Sequence, residues 1–287
     1  ERIFKPLGME NSGYDHHGTV LRGRATGYER NFDGYRNSPY LDMSLPYAAG
    51  SLYSTVGDLY VWDQALYTEK LLSKELKDLY FKPQVPAMGG SYAYGWVIQK
   101  VKLPGSEAEL NLIAHGGGIN GFNTLIQRLV DDRHLVVLLN NAPGADLGAM
   151  ARGITHILYD KPFDLPRQSI AEAIYPTLIE KGVEAAIMQY RRLEREDSKG
   201  YVFQPRELNR LAYFLLRDKK QIDDAIAIFK FNVEANPQYA DGFEGLADAY
   251  MEIGDQDEAV RNYARSLEIN PKNTGAVNKL NELVKRK

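Results

Sequence analysis

The sequence has 287 residues, about two domains in length, and 44% of them are hydrophobic, so the chain can bury sizeable cores. Its formal net charge of −3 comes from interspersed charges of both signs, which argues against a nucleic-acid-binding or anionic-membrane role. It contains no cysteine, which excludes disulfides and thiolate metal sites, and no run of about 18 apolar residues that would span a bilayer.

The first third of the chain predicts a long loop followed by two helices. Residues 11–47 are rich in Gly, Asn, Asp, Pro and Tyr and have little periodicity, which predicts an irregular excursion of the kind that often lines a site. Apolar residues at helical spacing then predict an amphipathic helix over 55–66, capped by Ser54 or Thr55. A shorter helix is predicted over 73–81, before a proline.

A run of strands follows these helices. Apolar and β-branched segments predict strands that begin at 92–101 and continue over 110–114, 122–130 and 135–139. A helix predicted over 147–159 then packs back on the resulting sheet.

The glycine-rich stretch His115–Phe122 lies between two of these predicted strands. Three consecutive glycines remove side chains where another group could approach the backbone N–H groups closely. One interpretation is a dinucleotide fingerprint, but that device needs a helix after the glycines and a β-rich segment follows instead. A second interpretation is a glycine-rich turn beside a core histidine. The third comes from comparison with other segments of the chain.

Four segments, in chain order, resemble motifs of the serine β-lactamase, penicillin-binding protein and esterase superfamily. These are the "IF-x-PLGM" segment at Ile3–Met9, the "AGGLYST-x-x-DL-x-x-W" helix at Ala49–Trp62, the "YGYGW" strand at Tyr94–Trp96, and the third motif, Lys-Thr-Gly or His-x-Gly, at His115–Gly117. Each motif alone is weak, but four ordered matches make chance an unsatisfactory explanation.

The resemblance implies roles for individual residues of the glycine stretch. His115 stands where the family has Lys or His, and would orient or polarise the substrate or assist proton transfer. Gly118 stands where a backbone N–H serves as an oxyanion-hole donor. Three further residues are expected to contact the substrate: Gly116, Gly117 and Asn120. Gly117 is the glycine of the motif itself. No cofactor is expected.

The family's chemistry, as the resemblance implies, is acyl transfer through the serine of a Ser-x-x-Lys, aided by a Tyr-x-Asn. No Ser-x-x-Lys occurs in these 287 residues. The only Tyr-x-Asn, Tyr35–Asn37, lies downstream of the Ile3–Met9 segment rather than upstream, so we interpret it as coincidence. We therefore expect the nucleophile to precede Glu1, which resembles the end of a helix, and expect the chain to be inactive on its own.

His16 and His17 invite a metal interpretation, but no third ligand lies at a useful spacing, so no metal site is predicted. Family habit suggests a bacterial periplasmic or secreted setting.

The C-terminal part of the sequence repeats itself with a period of 34 residues. Two blocks ending in Pro237 and Pro271 align, and the second carries nearly the whole pattern of a tetratricopeptide (TPR) repeat. A final helix is predicted over 272–287. Since two repeats are fewer than such an array usually needs, we expect a leading helix pair and contact with the first domain to add burial.

The sequence therefore predicts an α+β chain: the C-terminal portion of a β-lactamase/transpeptidase-like fold, an antiparallel sheet with helices, followed by an all-α TPR module. The predicted domains are 1–162, the hydrolase domain without its nucleophile; 163–203, a linker with the leading helix pair; and 204–287, two repeats with a capping helix. The predicted function is part of a serine hydrolase for ester or amide bonds, including peptide or β-lactam bonds. His115 favours an esterase or peptidase over an antibiotic-degrading lactamase. The alternative is a non-catalytic protein whose repeats bind a protein or peptide partner.

Overall fold

The computed structural model describes residues 1–87, 89–142 and 144–285, which form two compact units, 1–166 and 167–287. The helices described in the first unit are α1 (Phe4–Leu7), α2 (Tyr47–Gly50), α3 (Val56–Leu66), α4 (Lys74–Tyr80) and α5 (Leu147–Leu158). Its strands are β1 (Gly13–Tyr14), β2 (Tyr28–Asn31), β3 (Gly34–Asn37), β4 (Leu52–Tyr53), β5 (Val85–Ala87), β6 (Gly90–Ala93), β7 (Trp96–Lys102), β8 (Glu109–Ile119), β9 (Phe122–Leu129) and β10 (His134–Asn140).

An antiparallel meander of strands β5 to β10 is the centre of the first unit. Each strand pairs with its neighbour in sequence, so short turns suffice to connect them. Two pairs of short strands, β1 with β4 and β2 with β3, lie outside this sheet. Residues 11–47, predicted to be irregular, therefore contain a hairpin.

Helices cover both faces of the sheet. Gln127 and Arg128 are adjacent on β9, so their side chains point to opposite faces. Gln127 donates a hydrogen bond to Thr155 of α5 (2.7 Å), whereas Arg128 donates to Asp63 of α3 (2.5 Å). The helices α3 and α5 consequently pack on opposite sides of the sheet. The helix predicted over 147–159 was expected only to pack back on the sheet, which α5 does.

The apolar core between α3 and the sheet is built around tryptophan. Buried Leu66, Trp96 and Ile113 pack together, and Trp62 stacks on Trp96 with ring centroids 5.5 Å apart. The helix α3 begins where a capping side chain was predicted, since Thr55 accepts a hydrogen bond from the backbone N–H of Asp58 (3.2 Å). Trp62 is thus part of the core.

The second unit is an array of paired helices. Its helices are α6 (Ile170–Lys181), α7 (Val183–Glu196), α8 (Pro205–Phe214), α9 (Ile222–Ala235), α10 (Ala240–Glu252), α11 (Gln256–Ile269) and α12 (Thr274–Lys285), with a π-helical turn over Leu215–Lys219 and a parallel pair of short strands, β11 (Gln168–Ser169) and β12 (Tyr201–Val202). Residues 286 and 287 of the predicted final helix lie outside the described residues.

The 34-residue period corresponds to equivalent buried positions on α9 and α11. Ala225 and Ala259 are fully buried, and so is Phe229, while its counterpart Tyr263 is 2% exposed. A Cβ at Gly245 of α10 would collide with the ring of Phe229, so the small residue permits α9 and α10 to approach closely. The α+β fold class with a helix-rich second unit is therefore confirmed, although that unit also contains the short strand pair β11 and β12.

Candidate functional site

The glycine-rich stretch is part of strand β8 rather than a connection between strands. We expected the strand to end at Ala114, but pairing with β9 continues through His115–Ile126 and Gly117–Thr124 to Ile119–Phe122. The turn is reduced to Asn120 and Gly121. Ladder hydrogen bonds along β9 stabilise an extended backbone that glycine alone does not favour.

The register of this pairing determines where the backbone N–H groups point. Val130 donates to the carbonyl of Asn111 (3.2 Å), so residues 111 and 130 form a hydrogen-bonded pair. Hydrogen-bonded and non-hydrogen-bonded pairs alternate in an antiparallel ladder. His115 and Gly117 therefore bond to β9, whereas the N–H groups of Gly116 and Gly118 point to the other edge of β8.

That other edge is open beside the glycines. The neighbouring strand β7 pairs with β8 only as far as Val97 opposite Ala114, so within the described ranges the ladder leaves residues 115–119 without a strand on this side. His115, Gly116, Gly117 and Gly118 are all exposed. The N–H groups of Gly116 and Gly118 thus face a side on which a ligand can approach; we refer to His115–Gly118 as the glycine wall.

The glycines of the wall differ in the space around them. A Cβ at Gly117 would lie 2.7 Å from the hydroxyl oxygen of Thr124, closer than van der Waals contact allows. A Cβ at Gly118 would meet no atom within 4 Å. A side chain at position 117 would therefore displace the Thr124 side chain of β9, whereas one at position 118 would meet open space.

His115 is held by a residue that the sequence analysis did not identify. The hydroxyl of Tyr92, on β6, lies 3.0 Å from Nε2 of His115, and the two rings meet edge to face with centroids 5.9 Å apart. The signal was present in the sequence: the "YGYGW" motif can be extended back to Tyr92, with Ala93 replacing its first glycine.

The turn after the wall anchors the 11–47 excursion. Gly121 has φ +76°, and a Cβ there would lie 2.6 Å from the backbone of Gly27 and would also collide with Ser38. The side chain of Asn120 donates to the carbonyl of Pro39 (3.2 Å). Asn120 therefore attaches the excursion to the sheet. This bond uses part of the hydrogen-bonding capacity of the Asn120 side chain.

A second attachment fixes the start of the β2–β3 hairpin to Asn141, the residue that follows β10. The backbone N–H of Tyr28 donates to the carbonyl of Asn141, and the side-chain amide of Asn141 donates to the carbonyl of Thr26, both at 2.9 Å. The hairpin of β2 and β3 begins at this point. The excursion is therefore attached beside the glycine wall at 26–28 and at 38–39.

A buried ion pair supports the strand that carries the wall. Arg128 and Asp63 have side chains only 2% and 1% exposed, and the guanidinium of Arg128 lies 4.8 Å from the ring centre of Tyr67 and 5.3 Å from that of Phe81. Burial raises the pKa of Tyr67, while the nearby Arg128 cation acts in the opposite direction. Since Arg128 lies two residues from Ile126, the partner of His115, this pair fixes β9 behind the wall.

The acidic residue of the α3 motif, Asp58, bonds to the residues that follow α1. The carboxylate of Asp58 accepts hydrogen bonds from the backbone of Asn11 (2.9 Å) and the hydroxyl of Ser12 (2.7 Å). Asp58 is buried at the start of α3. Asp58 therefore attaches the residues after α1 to α3.

The histidine pair does not form part of a metal cluster. His16 and His17 stack with centroids 4.5 Å apart, and Nδ1 of His17 lies 3.8 Å from a carboxylate oxygen of Asp42. Within residues 1–87, 89–142 and 144–285, no group of three potential ligands is arranged to hold a metal ion. The same residues include no helix with both the length and the apolar character needed to cross a bilayer.

The glycine wall thus combines an exposed imidazole with an unpaired edge of N–H groups. Such an edge can donate hydrogen bonds to a carbonyl oxygen or to an oxyanion. The imidazole of His115 can donate or accept a hydrogen bond. Together they have the composition of one side of an acyl-transfer site.

Comparison with known proteins shows the family to which the first unit is similar. Residues 1–158 match the model of the Beta-lactamase family. The chain is 31% identical over 137 residues to penicillin-binding protein 4* of Bacillus subtilis, covering 44% of this chain and 29% of that protein. The octameric penicillin-binding protein homologue of Pyrococcus abyssi is 24% identical, with a TM-score of 0.48, covering 56% of this chain and 36% of that one.

Part of the chain is also similar to a TPR domain. The first TPR domain of the human RPAP3 protein is 22% identical, with a TM-score of 0.30, covering 40% of this chain and 87% of that domain. The chain spans 29% to 37% of the length of the two bacterial penicillin-binding proteins that it matches in sequence.

Proposed function

We propose, since this chain belongs to the Beta-lactamase family, that its first unit supplies the glycine wall of a serine acyl-transfer site that cleaves ester or amide bonds. The observation that carries the proposal is the open edge of β8, where the N–H groups of Gly116 and Gly118 lie beside an exposed His115. Gly118 serves as an oxyanion donor, and His115 contacts the substrate next to it.

The reaction proposed has two steps. A serine oxygen attacks the carbonyl carbon, its proton passes to a base and then to the departing alcohol or amine, and the acyl group stays on the serine. Water then attacks this ester and releases the acid. The developing negative charge on the carbonyl oxygen is where backbone donors act, and losing one donor typically reduces the rate by about 10²–10³.

The serine and its base are not among these 287 residues in the family's Ser-x-x-Lys spacing. In this proposal they come from outside the chain given, so residues 1–287 alone do not turn over substrate. His in place of Lys at position 115 supports an esterase or peptidase. The similarity to penicillin-binding proteins supports an exported location.

The proposal is tested on the full-length product of the gene. It is incubated with a fluorophosphonate and, separately, with a β-lactam, and the intact mass is measured together with hydrolysis of p-nitrophenyl esters. We expect one covalent adduct per chain and ester turnover, with neither observed for residues 1–287 alone. A full-length protein that forms no adduct and hydrolyses neither class would refute the proposal.

The second unit suggests a second function, peptide binding, because a cleft opens in its described part. The cleft has a volume of about 300 Å³. Its lining comes from α10, α11, α12 and the π-helical turn and mixes charged and apolar side chains, namely Leu216, Arg217, Asp248, Met251, Glu252, Tyr263, Lys279, Glu282 and Leu283. A groove of this size and mixture accommodates a short stretch of peptide.

This second function is tested with labelled peptides of basic, acidic and apolar sequence, added to the chain while fluorescence anisotropy is recorded. Saturable binding of one class, weakened by Glu282→Gln in the cleft and not by Glu180→Gln on α6, would support a peptide partner. Equal, unsaturable signals from all three classes would remove the cleft from consideration.

A further inference from the structure

The hydrogen bond between Tyr92 and His115 joins two strands that are not neighbours in the sheet. Tyr92 belongs to β6 and His115 to β8, with β7 between them in the strand order. Tyr92 is opposite Val85 on one side and Val97 on the other, and its carbonyl accepts a hydrogen bond from the backbone of Gln84 (3.0 Å). The backbone that carries the phenol is thus paired on both edges, so the hydroxyl is presented by a rigid part of the sheet.

The chemistry of the two groups allows this hydrogen bond to run in either direction. A phenolic hydroxyl can donate or accept a hydrogen bond, and a neutral imidazole has one nitrogen that donates and one that accepts. With Nε2 3.0 Å from the hydroxyl, the arrangement in which Tyr92 donates requires Nε2 to be the acceptor. The ring proton of the neutral imidazole then resides on Nδ1.

We propose that Tyr92 is a positioning residue that donates to Nε2 of His115, fixes the neutral ring as the Nδ1–H tautomer, and so makes His115 a hydrogen-bond donor to the substrate. This inference rests on the proposed acyl-transfer function and deepens it. Because Nε2 is occupied by the hydroxyl of Tyr92, His115 is not the base that accepts the serine proton. That step belongs to another group.

The surroundings of Nδ1 agree with this assignment. In the described part of the chain the hydrogen bond of the His115 side chain goes to Tyr92 through Nε2, and the residue is exposed. The Nδ1–H group then belongs to an exposed side chain on the strand whose open edge carries the N–H groups of Gly116 and Gly118. One side-chain donor and two backbone donors then belong to one wall, all of them suited to oxygen atoms of a carbonyl compound.

The tautomer can be measured directly on residues 1–287, without any activity. The chain is labelled with ¹⁵N, and long-range ¹H–¹⁵N spectra of the histidine rings are recorded at a pH where the rings are neutral. The chain has five histidines, and His115→Gln identifies the signals of His115. We expect a protonated Nδ1 and an unprotonated Nε2 for His115.

Two variants separate the hydrogen bond from general effects of substitution. Tyr92→Phe removes only the hydroxyl, and we expect the His115 signals to shift to a mixture of both tautomers or to the Nε2–H form. Tyr94→Phe is the matched control, since it removes the same atom from a tyrosine that is 53% exposed and follows β6 directly. It should leave the His115 signals unchanged.

An Nε2–H tautomer in the unsubstituted chain would overturn the proposal, and so would a tautomer that is unaffected by Tyr92→Phe. The wild-type spectrum decides this even if a variant fails to fold. Ester turnover by the full-length protein then tests the underlying function separately. An Nδ1–H tautomer without any turnover would leave the positioning role of Tyr92 standing and refute acyl transfer.

Discussion

Replacing Gly121 by alanine should release the 11–47 excursion from the site. Gly121 has φ +76°, and alanine in the left-handed region costs about 1–2 kcal/mol. The added Cβ would also lie 2.6 Å from the backbone of Gly27, which is not a flexible group that can swing away. Displacing this segment endangers the hydrogen bonds from Asn120 to Pro39 and from Ser38 to Gly27, at about 1 kcal/mol each.

Gly121→Ala should therefore lower the free energy of unfolding by about 3–4 kcal/mol in total. Gly105→Ala is the matched control, because Gly105 has φ +68° and a Cβ there would meet no atom within 4 Å. At Gly105 only the left-handed backbone conformation should destabilise the alanine variant, by about 1–2 kcal/mol.

The assay is urea unfolding followed by tryptophan fluorescence. The two tryptophans of the chain, Trp62 and Trp96, stack in the core of the first unit, so the signal reports on that unit. The free energy of unfolding should fall by about 2 kcal/mol more for Gly121→Ala than for Gly105→Ala. Equal losses would show that the contact with Gly27 contributes nothing and would refute the account of how the excursion is attached.

Three further predictions concern the buried groups of both units. Asp63→Asn should lower the stability of the first unit by about 3–5 kcal/mol, because Arg128 is left buried without its counter-ion. In the same fluorescence assay, the double variant Asp63→Asn, Arg128→Met should regain part of that stability. Gly245→Ala should lower the free energy of unfolding of the second unit by about 1–3 kcal/mol, because the added methyl group overpacks against Phe229. Gly275→Ala should lower it less, because its methyl group meets only the flexible end of the Glu244 side chain. Unfolding of both variants is followed by circular dichroism at 222 nm. Burial raises the pKa of Tyr190 from 10.0 to about 12, so the folded state favours the protonated phenol. The contribution of Tyr190 to the free energy of unfolding should be constant below pH 10 and fall between pH 10 and 12. An identical fall in the Tyr190→Phe variant would contradict this cause.

Much of the architecture was predictable because it depends on local patterns. Helix α3 follows from a capping threonine and apolar residues at helical spacing, and the paired helices follow from a 34-residue repeat of small and aromatic residues. Both signals are carried by residues close together in sequence. Local patterns therefore predicted the helices and the repeats, whereas the β-lactamase-like fold was predicted from motif resemblance.

The course of the glycine strand could not be derived in this way. Glycine has a low preference for strands, so the sequence indicated a break after Ala114, but the ladder with β9 extends the strand to Ile119. For a related reason the hairpin of β2 and β3 was missed, since its four-residue strands lack a clear apolar alternation. In both places pairing between strands decides the structure.

The contacts that build the candidate site are the least visible in sequence. Tyr92 and His115 are 23 residues apart, and Asp63 and Arg128 are 65 residues apart. Motif resemblance identified His115 and Gly118 because it concerns single positions. It could not indicate which hydroxyl lies next to the imidazole or which N–H groups face the open edge, because both depend on strand order and register.

The most direct test of the central claim is kcat/KM for ester hydrolysis by the full-length protein and its His115→Ala variant. His134→Ala is the control, since His134 is also a strand histidine but packs against Tyr159, with ring centroids 5.5 Å apart. If the glycine wall is part of the acyl-transfer site, His115→Ala lowers kcat/KM at least tenfold, toward the loss of about 10²–10³ that is typical for one donor, while His134→Ala does not. Unchanged turnover in a folded His115→Ala protein would contradict the claim and remove the wall from the mechanism.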